Sequence, residues 1–169
     1  MSDRMKVQLA SAQIESARNY TQTLIEDVAE ADWFRIPDGA PTHLAWQLGH
    51  VTMAQYMLTL FRLRGKNSED EQFITKPFLR RFLKGTTPDP HPANNLRIAE
   101  IRSAFDRVYE QLMHELPRFN DEALQQTVQE PYFAESTTFG SLLFCSHHEM
   151  LHCGQIGLIR RLLGYEPVR

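Results

Sequence analysis

The feature that most constrains the fold is a set of four segments in which apolar residues recur every three or four positions. This spacing places apolar side chains along one face of an α-helix. It predicts helices over about residues 5–30, 42–64 and 94–116, and from Thr137 or Thr138 to Leu163. No segment alternates polar and apolar residues over a useful length, as a half-buried strand would. We therefore expect an all-α four-helix bundle with long crossover connections, forming a single domain over residues 1–169.

Residues near the segment ends support these boundaries. Asn94 or Asn95 is a candidate N-cap for the third helix, and Pro117 marks its end. Gly164 is a suitable stop for the last helix, because glycine readily adopts the left-handed backbone at a helix end.

Two long connections join the predicted helices. The first spans about residues 66–93, and its middle, Pro77–Gly85, has the apolar spacing of a short lid helix. The second spans about residues 118–136 and predicts one helical turn capped by Asn120. We interpret the acidic stretch 69–71 as a solvated turn.

Composition excludes several classes of protein. Lys and Arg total 18 against 21 Asp and Glu, a net charge of −3, so a nucleic-acid footprint is not expected. No apolar run approaches the roughly 18 residues of a membrane span, and the N-terminus lacks the apolar centre of a signal peptide. A soluble, cytoplasmic protein is expected. Cys145 and Cys153 would lie about 12 Å apart along one helix, too far for a disulfide, so both are predicted to be free thiols.

The last predicted helix carries the most informative motif. His148 and His152 are four positions apart, about 40° on a helical wheel and about 6 Å in rise, on the face that should meet the core. Two imidazoles so placed can converge on one metal ion. Alternatively, both are core histidines that hydrogen bonds satisfy, although each would then need its own polar partner.

His50, on the core stripe of the second helix, is the candidate third ligand, because facing helices build metal sites in bundle cores. Gln155 lies one turn beyond His152 and is predicted to hydrogen-bond a ligand's second nitrogen. Gln47, next to His50 on the wheel, is either another such group or a polar residue at the core edge. His43 is expected to line the mouth of the site or to be exposed.

The string His148-Glu149-Met150-Leu151-His152 also matches the H-E-x-x-H signature of zinc proteases. Such proteases require a third ligand downstream, yet the only carboxylate after His152 is Glu166, which lies beyond the Gly164 stop. A protease is therefore disfavoured. Glu149 lies about 80° from the centre of the histidine face, which leaves it a weak candidate base or an outer polar residue. Cys145 is a candidate fourth ligand, but a small buried residue is the favoured interpretation.

The combination of Trp46-Gln47-Leu48-Gly49-His50 with HEMLHCGQIGLIRRLLG, residues 148–164, resembles the DinB/YfiT-like family. The matching positions are a histidine in the second helix, then H-x-x-x-H followed by Gly-Gln-Ile. The length, the four helices and the order of motifs extend the resemblance over essentially the whole chain.

The resemblance implies a bundle of up-down-down-up order with a divalent metal, often zinc or nickel, on His50, His148 and His152. It also implies a frequent homodimer and an activity similar to that of transferases or isomerases that use low-molecular-weight thiols. Three function hypotheses follow. The first is a metal-dependent transferase or hydrolase acting on a small molecule, with a thiol co-substrate in the transferase case. The second is a non-catalytic metal-binding or stress-related protein, and the third is a bundle whose histidines are merely packed.

Overall fold

The computed structural model describes residues 3–168 and is helical throughout its regular structure. Within this part of the chain, the one β-type pairing is an isolated antiparallel bridge between Thr127 and Thr137. None of the helices described is long and apolar enough to cross a membrane. The α-helices are α1 (Asp3–Ile25), α2 (Leu44–Leu58), α3 (Leu60–Arg64), α4 (Lys76–Arg81), α5 (Ile98–Glu115), α6 (Asp121–Gln125) and α7 (Thr138–Leu162).

Four long helices, α1, α2, α5 and α7, build the core. Helix α7 packs against both α1 and α2, and α2 packs also against α5. The apolar stripes predicted from sequence supply the buried face of each helix; Ile101, Phe105, Val108 and Leu112 of α5 are all 1% exposed or less. The predicted all-helical fold is confirmed, and α2 and α7 together position the histidines.

Helix α1 ends at Ile25, five residues before the predicted boundary. Side chains from two other helices bind its last carbonyl groups: Arg160 donates to the Leu24 carbonyl at 2.7 Å, and Arg102 donates to that of Ile25 at 3.0 Å. Val28 continues the apolar stripe and is buried, but it lies beyond the helix. The periodicity therefore overestimated the length of this helix.

The second predicted helix is interrupted at Thr59, whose backbone (φ −119°, ψ −92°) separates α2 from α3. The Ser141 hydroxyl of α7 donates to the Leu58 carbonyl at 2.6 Å, which replaces the bond that a continuous helix would supply. The third helix starts at Ile98 rather than at Asn94 or Asn95, because the Glu100 carboxylate accepts from the backbone N–H of Arg97 at 2.9 Å.

Other local predictions are confirmed. Thr137 caps α7 by accepting from the N–H of Gly140 at 3.1 Å, and Gly164 has φ +93° just past its end. Gly140 is required, since a Cβ there would lie 2.0 Å from the Glu135 carbonyl oxygen. Asn120 caps the short helix α6, its Oδ1 accepting from Ala123 at 3.0 Å.

The acidic stretch 69–71 is not wholly solvated. Asp70 is 2% exposed and binds Arg64 at 2.8 Å and the Tyr56 hydroxyl at 2.8 Å. These partners precede Asp70 in the chain, so this stretch fastens the first long connection to α2 and α3.

Candidate metal centre

Three histidines from two helices meet in the core of the protein. His50 of α2 and His148 and His152 of α7 each offer a ring nitrogen, and these atoms all lie within 4.8 Å of one another. The ring centroids are 4.6 to 5.2 Å apart. The sequence prediction that these three side chains converge is confirmed.

Packing and a backbone carbonyl fix the orientation of His50. The Trp46 ring stacks on its imidazole with centroids 4.9 Å apart and planes 8° from parallel. Its Nδ1 lies 2.7 Å from the Phe82 carbonyl oxygen. Because a carbonyl can only accept, Nδ1 carries the proton and donates, which leaves Nε2 with a free lone pair.

The Phe82 carbonyl is itself positioned by a close contact with Gly49. A Cβ at this glycine would lie 2.3 Å from the Phe82 ring, so only glycine lets the ring approach α2 here. Phe78 and Phe82 are buried, at 5% and 2% exposed. The helix predicted within residues 77–85 is present as α4, but its aromatic face packs into the core and supports His50.

A glutamine from the opposite helix orients His152. The Nδ1–H of His152 donates to Gln47 Oε1 at 2.5 Å, so its Nε2 is also unprotonated. Gln47 in turn donates from Nε2 to Gln155 Oε1 at 2.9 Å and to the Thr42 hydroxyl at 3.3 Å. The prediction that Gln155 bonds a histidine directly is wrong, since Gln155 instead fixes the amide of the glutamine that does.

The electrostatic environment keeps the histidines neutral. Burial, with a further contribution from the neighbouring imidazoles, lowers the pKa of His148 to about 4 and that of His152 to about 3. Burial also lowers the pKa of His50. Neutral imidazoles are the form that coordinates a metal ion, and two of the three have their second nitrogen committed to an acceptor, as in metal-binding histidines generally. The donor set therefore fits a divalent ion.

A cavity of about 590 Å³ opens beside the histidines. His50 and His148 contribute to its wall, and the rest comes from α2, α3, α7 and both long connections. Its other lining residues are Met53, Ala54, Met57, Leu58, Phe61, Arg62, Leu83, Lys84, Val128, Gln129, Glu130, Pro131 and Phe144. Residues 128–131 belong to the second connection, for which no role at the site was predicted.

The position of segment 128–131 depends on Arg62. Its guanidinium donates to the carbonyls of Pro131 at 2.5 Å and Gln129 at 2.8 Å, and to the Ser141 hydroxyl at 2.7 Å. Nothing in the sequence around Arg62 indicated that its side chain would hold this segment.

His43 does not line the site mouth and is not exposed, contrary to prediction. It is 1% exposed and caps α2, with Nδ1 accepting from the Trp46 N–H at 3.1 Å. Its Nε2–H donates to the Asp89 carbonyl at 3.0 Å. Burial lowers its pKa, so the ring is a neutral structural element that joins the start of α2 to the first connection.

Glu149 faces away from the histidines towards α1. It is 1% exposed, accepts from the Thr21 hydroxyl at 2.7 Å and forms an ion pair with the Nε of Arg18 at 3.3 Å. Burial raises the pKa of its carboxyl, and Arg18 opposes that rise. Neither this carboxylate nor Cys145, which is 2% exposed, belongs to the histidine group or lines the cavity.

Arg18 was missed in the sequence, although a signal existed. It lies on the apolar stripe of α1, four residues after Ile14 and three before Thr21. Its guanidinium is 3.3 Å from the centroid of the Phe105 ring and donates to Gln55 Oε1 at 2.6 Å. A charged residue on a core stripe predicts a buried partner, here Glu149.

Fold and site together define an all-helical protein with a three-histidine group that could hold one metal ion. The sequence model of the DinB superfamily matches residues 13–156. The chain therefore belongs to the DinB superfamily, as the histidine pattern predicted. No curated protein matches it significantly.

Proposed function

We propose that this protein is a metal-dependent enzyme acting on a small molecule. His50, His148 and His152 hold one divalent ion, either zinc or nickel, and the adjoining cavity receives the substrate. The observation that carries the proposal is the meeting of three neutral imidazoles within 4.8 Å beside a cavity of about 590 Å³. Cavities of this size are typical of small-molecule sites.

The residues of the site have distinct roles. The three imidazoles bind the ion, while the Phe82 carbonyl and the Gln47 amide keep two of them in the correct tautomer. When bound to three neutral ligands, a divalent ion keeps an open position and lowers the pKa of a coordinated water or thiol. The apolar walls exclude bulk water from the reacting end of the substrate.

Two reaction types fit this arrangement. In the favoured one, a low-molecular-weight thiol is the co-substrate and loses its proton to solvent. Its sulfur then bonds to an electrophilic carbon of the substrate and displaces a leaving group, which departs with the bonding electrons, so that the protein is an S-transferase. In the other, water takes the place of the thiol and the protein is a hydrolase. Glu149 is an unsuitable base for either, because its carboxylate is buried against α1 and does not line the cavity.

Metal content is the first test. Protein purified without a histidine tag or chelator is expected to contain one equivalent of zinc or nickel by elemental mass spectrometry. A His148→Ala/His152→Ala double variant is expected to lose it, while His147→Ala, an adjacent histidine outside the group, retains it. One equivalent of metal on the double variant would exclude the proposed site.

Turnover is the second test. The metal-loaded protein is assayed for transfer of a low-molecular-weight thiol to a chromogenic electrophile and for hydrolysis of nitrophenyl esters. Activity that chelation removes and metal restores supports the enzyme. A stoichiometric metal without turnover in either assay would favour the alternative, a non-catalytic metal-binding or stress-related bundle; the size of the cavity argues against that alternative.

The proposal extends to assembly and topology. We expect an up-down-down-up bundle in the cytoplasm that forms a homodimer. Large apolar side chains are exposed along α7, with Leu151 at 63%, Leu158 at 49% and Leu162 at 46%, which is unusual for a free surface. A Leu151→Glu/Leu158→Glu variant is expected to elute as a monomer in size-exclusion chromatography with light scattering.

A further inference from the structure

The walls of the cavity beside the histidines are made mainly of apolar side chains. Met53 and Met57 of α2 face this space together with Phe61 of α3 and Phe144 of α7. Leu83 and Pro131 close it from the two connections. An unbranched thioether adapts to differently shaped apolar groups, so two methionines suit a flexible hydrocarbon or an aromatic body.

The three charged residues that line the cavity are not equivalent. Arg62 is committed to two carbonyls and a hydroxyl. Lys84 and Glu130, both exposed, have no hydrogen-bond or ion-pair partner among residues 3–168. Lys84 follows Phe82, whose carbonyl fixes His50, by only two residues. This free ammonium group therefore comes from the segment that supports the histidine site.

The balance of charge favours an anion. Two cations, Arg62 and Lys84, and one carboxylate, Glu130, line the cavity. Glu149 cannot compensate a bound divalent ion, because Arg18 holds its carboxylate on the other side of α7. A molecule with several acidic groups is disfavoured, since one of them would approach Glu130.

We infer that the substrate of this site is an apolar molecule with a single acidic group, whose body lies against Met57, Phe61 and Phe144 and whose acid pairs with Lys84. The inference rests on the proposed function for naming this molecule a substrate. It adds the chemical class of that substrate and identifies Lys84 as the residue that selects for the acid.

Calorimetry with three probes of one length tests the inference: octanoate, 1-octanol and octylamine. Each is titrated into zinc-loaded protein and into chelator-treated protein, so that an acid bound through the metal is separated from one bound through Lys84. In both forms octanoate is expected to bind most tightly and octylamine most weakly. In the chelator-treated protein, Lys84→Met is expected to lower the affinity for octanoate about three- to fivefold and to leave the affinity for 1-octanol unchanged.

Lys76→Met is the matched control, because this exposed lysine belongs to the same segment but lies outside the cavity. It should leave all three affinities unchanged. Equal weakening by both lysine variants, or none by Lys84→Met, would overturn the role of Lys84. If neither octanoate nor 1-octanol binds, the inference that the substrate is apolar is overturned.

Elemental analysis of the same samples separates this inference from the proposed function. If the protein holds one equivalent of zinc but does not bind octanoate, the inference is overturned and the proposed metal centre is still supported. Octanoate binding that depends on Lys84 in a protein that holds no metal supports the acid-binding cavity and refutes the metal-dependent enzyme.

Discussion

Replacing Gln47 with leucine is the sharpest test of how the metal centre is built. Gln47 is 1% exposed, and its Oε1 accepts the Nδ1–H of His152 at 2.5 Å. Leucine has a similar volume but no acceptor. In the variant, His152 either keeps a buried N–H without a partner or moves its proton to the nitrogen that would bind the metal. Both outcomes lower metal affinity.

The size of the effect follows from the cost of the unpaired group. A buried donor without a partner costs about 1–3 kcal/mol, which corresponds to roughly 5- to 150-fold in affinity. Loss of a hydrogen bond that supports a metal ligand typically weakens binding about 10–100-fold. We therefore expect Gln47→Leu to weaken zinc binding about 10–100-fold, measured at neutral pH by competition with a fluorescent chelator.

Two further variants calibrate this result. Gln47→Glu keeps an acceptor opposite His152 and should retain zinc affinity. Gln155→Ala removes only one of two partners of the Gln47 amide and should cost less than about threefold, because the Thr42 hydroxyl still accepts at 3.3 Å. If Gln47→Leu folds with an unchanged circular dichroism spectrum and binds zinc within twofold of the parent, the orienting role of Gln47 is refuted.

Three other perturbations have expected outcomes. Burial lowers the pKa of His148 to about 4 and of His152 to about 3, against about 6.5 unfolded, so the unfolded chain takes up more protons below pH 6.5. Urea unfolding of the metal-free protein should show stability falling as pH drops from about 6.5 to 4, by up to about 1.4 kcal/mol per pH unit for each histidine; replacing both by alanine should flatten this dependence. Glu149→Gln should lower the free energy of unfolding by about 3 kcal/mol, because it leaves the buried arginine unpaired, yet retain one metal per chain. Gly49→Ala should lower stability by about 1–3 kcal/mol and weaken metal binding, because its Cβ would displace the Phe82 ring, whereas Gly154→Ala, with open space around its Cβ, should raise the thermal midpoint slightly.

The sequence allowed the histidine group to be predicted because a helical wheel determines which side chains share a face. His148 and His152 are one turn apart on a core stripe, and His50 lies on the core stripe of another helix. Local chemistry also predicted both ends of α7, where Thr137 caps the start and Gly164 takes a positive φ after the end. These features depend on neighbours along the chain.

Features that depend on distant residues were missed or misplaced. The break at Thr59 depends on a hydroxyl from Ser141, and the end of α1 depends on guanidinium groups of Arg102 and Arg160. The wheel placed Gln155 on the histidine face but could not give the axial register between α2 and α7. That register brings Gln47 to His152, which is one of the two roles predicted for Gln47, and leaves Gln155 bonded to Gln47 instead of to a histidine.

The H-E-x-x-H string has a different meaning here because its glutamate packs towards α1 and does not line the cavity. His148 faces the cavity, while Glu149, the next residue, faces α1 and meets Arg18. Helix α7 thus separates the face that carries His148 and His152 from a buried ion pair. If Glu149 lay on the cavity side, its negative charge would offset the positive charge of a bound metal ion. An anionic substrate would then be disfavoured. Its pairing with Arg18 leaves the charge of the ion available, which makes the helix face of Glu149 as important to the proposed chemistry as the identity of the three ligands.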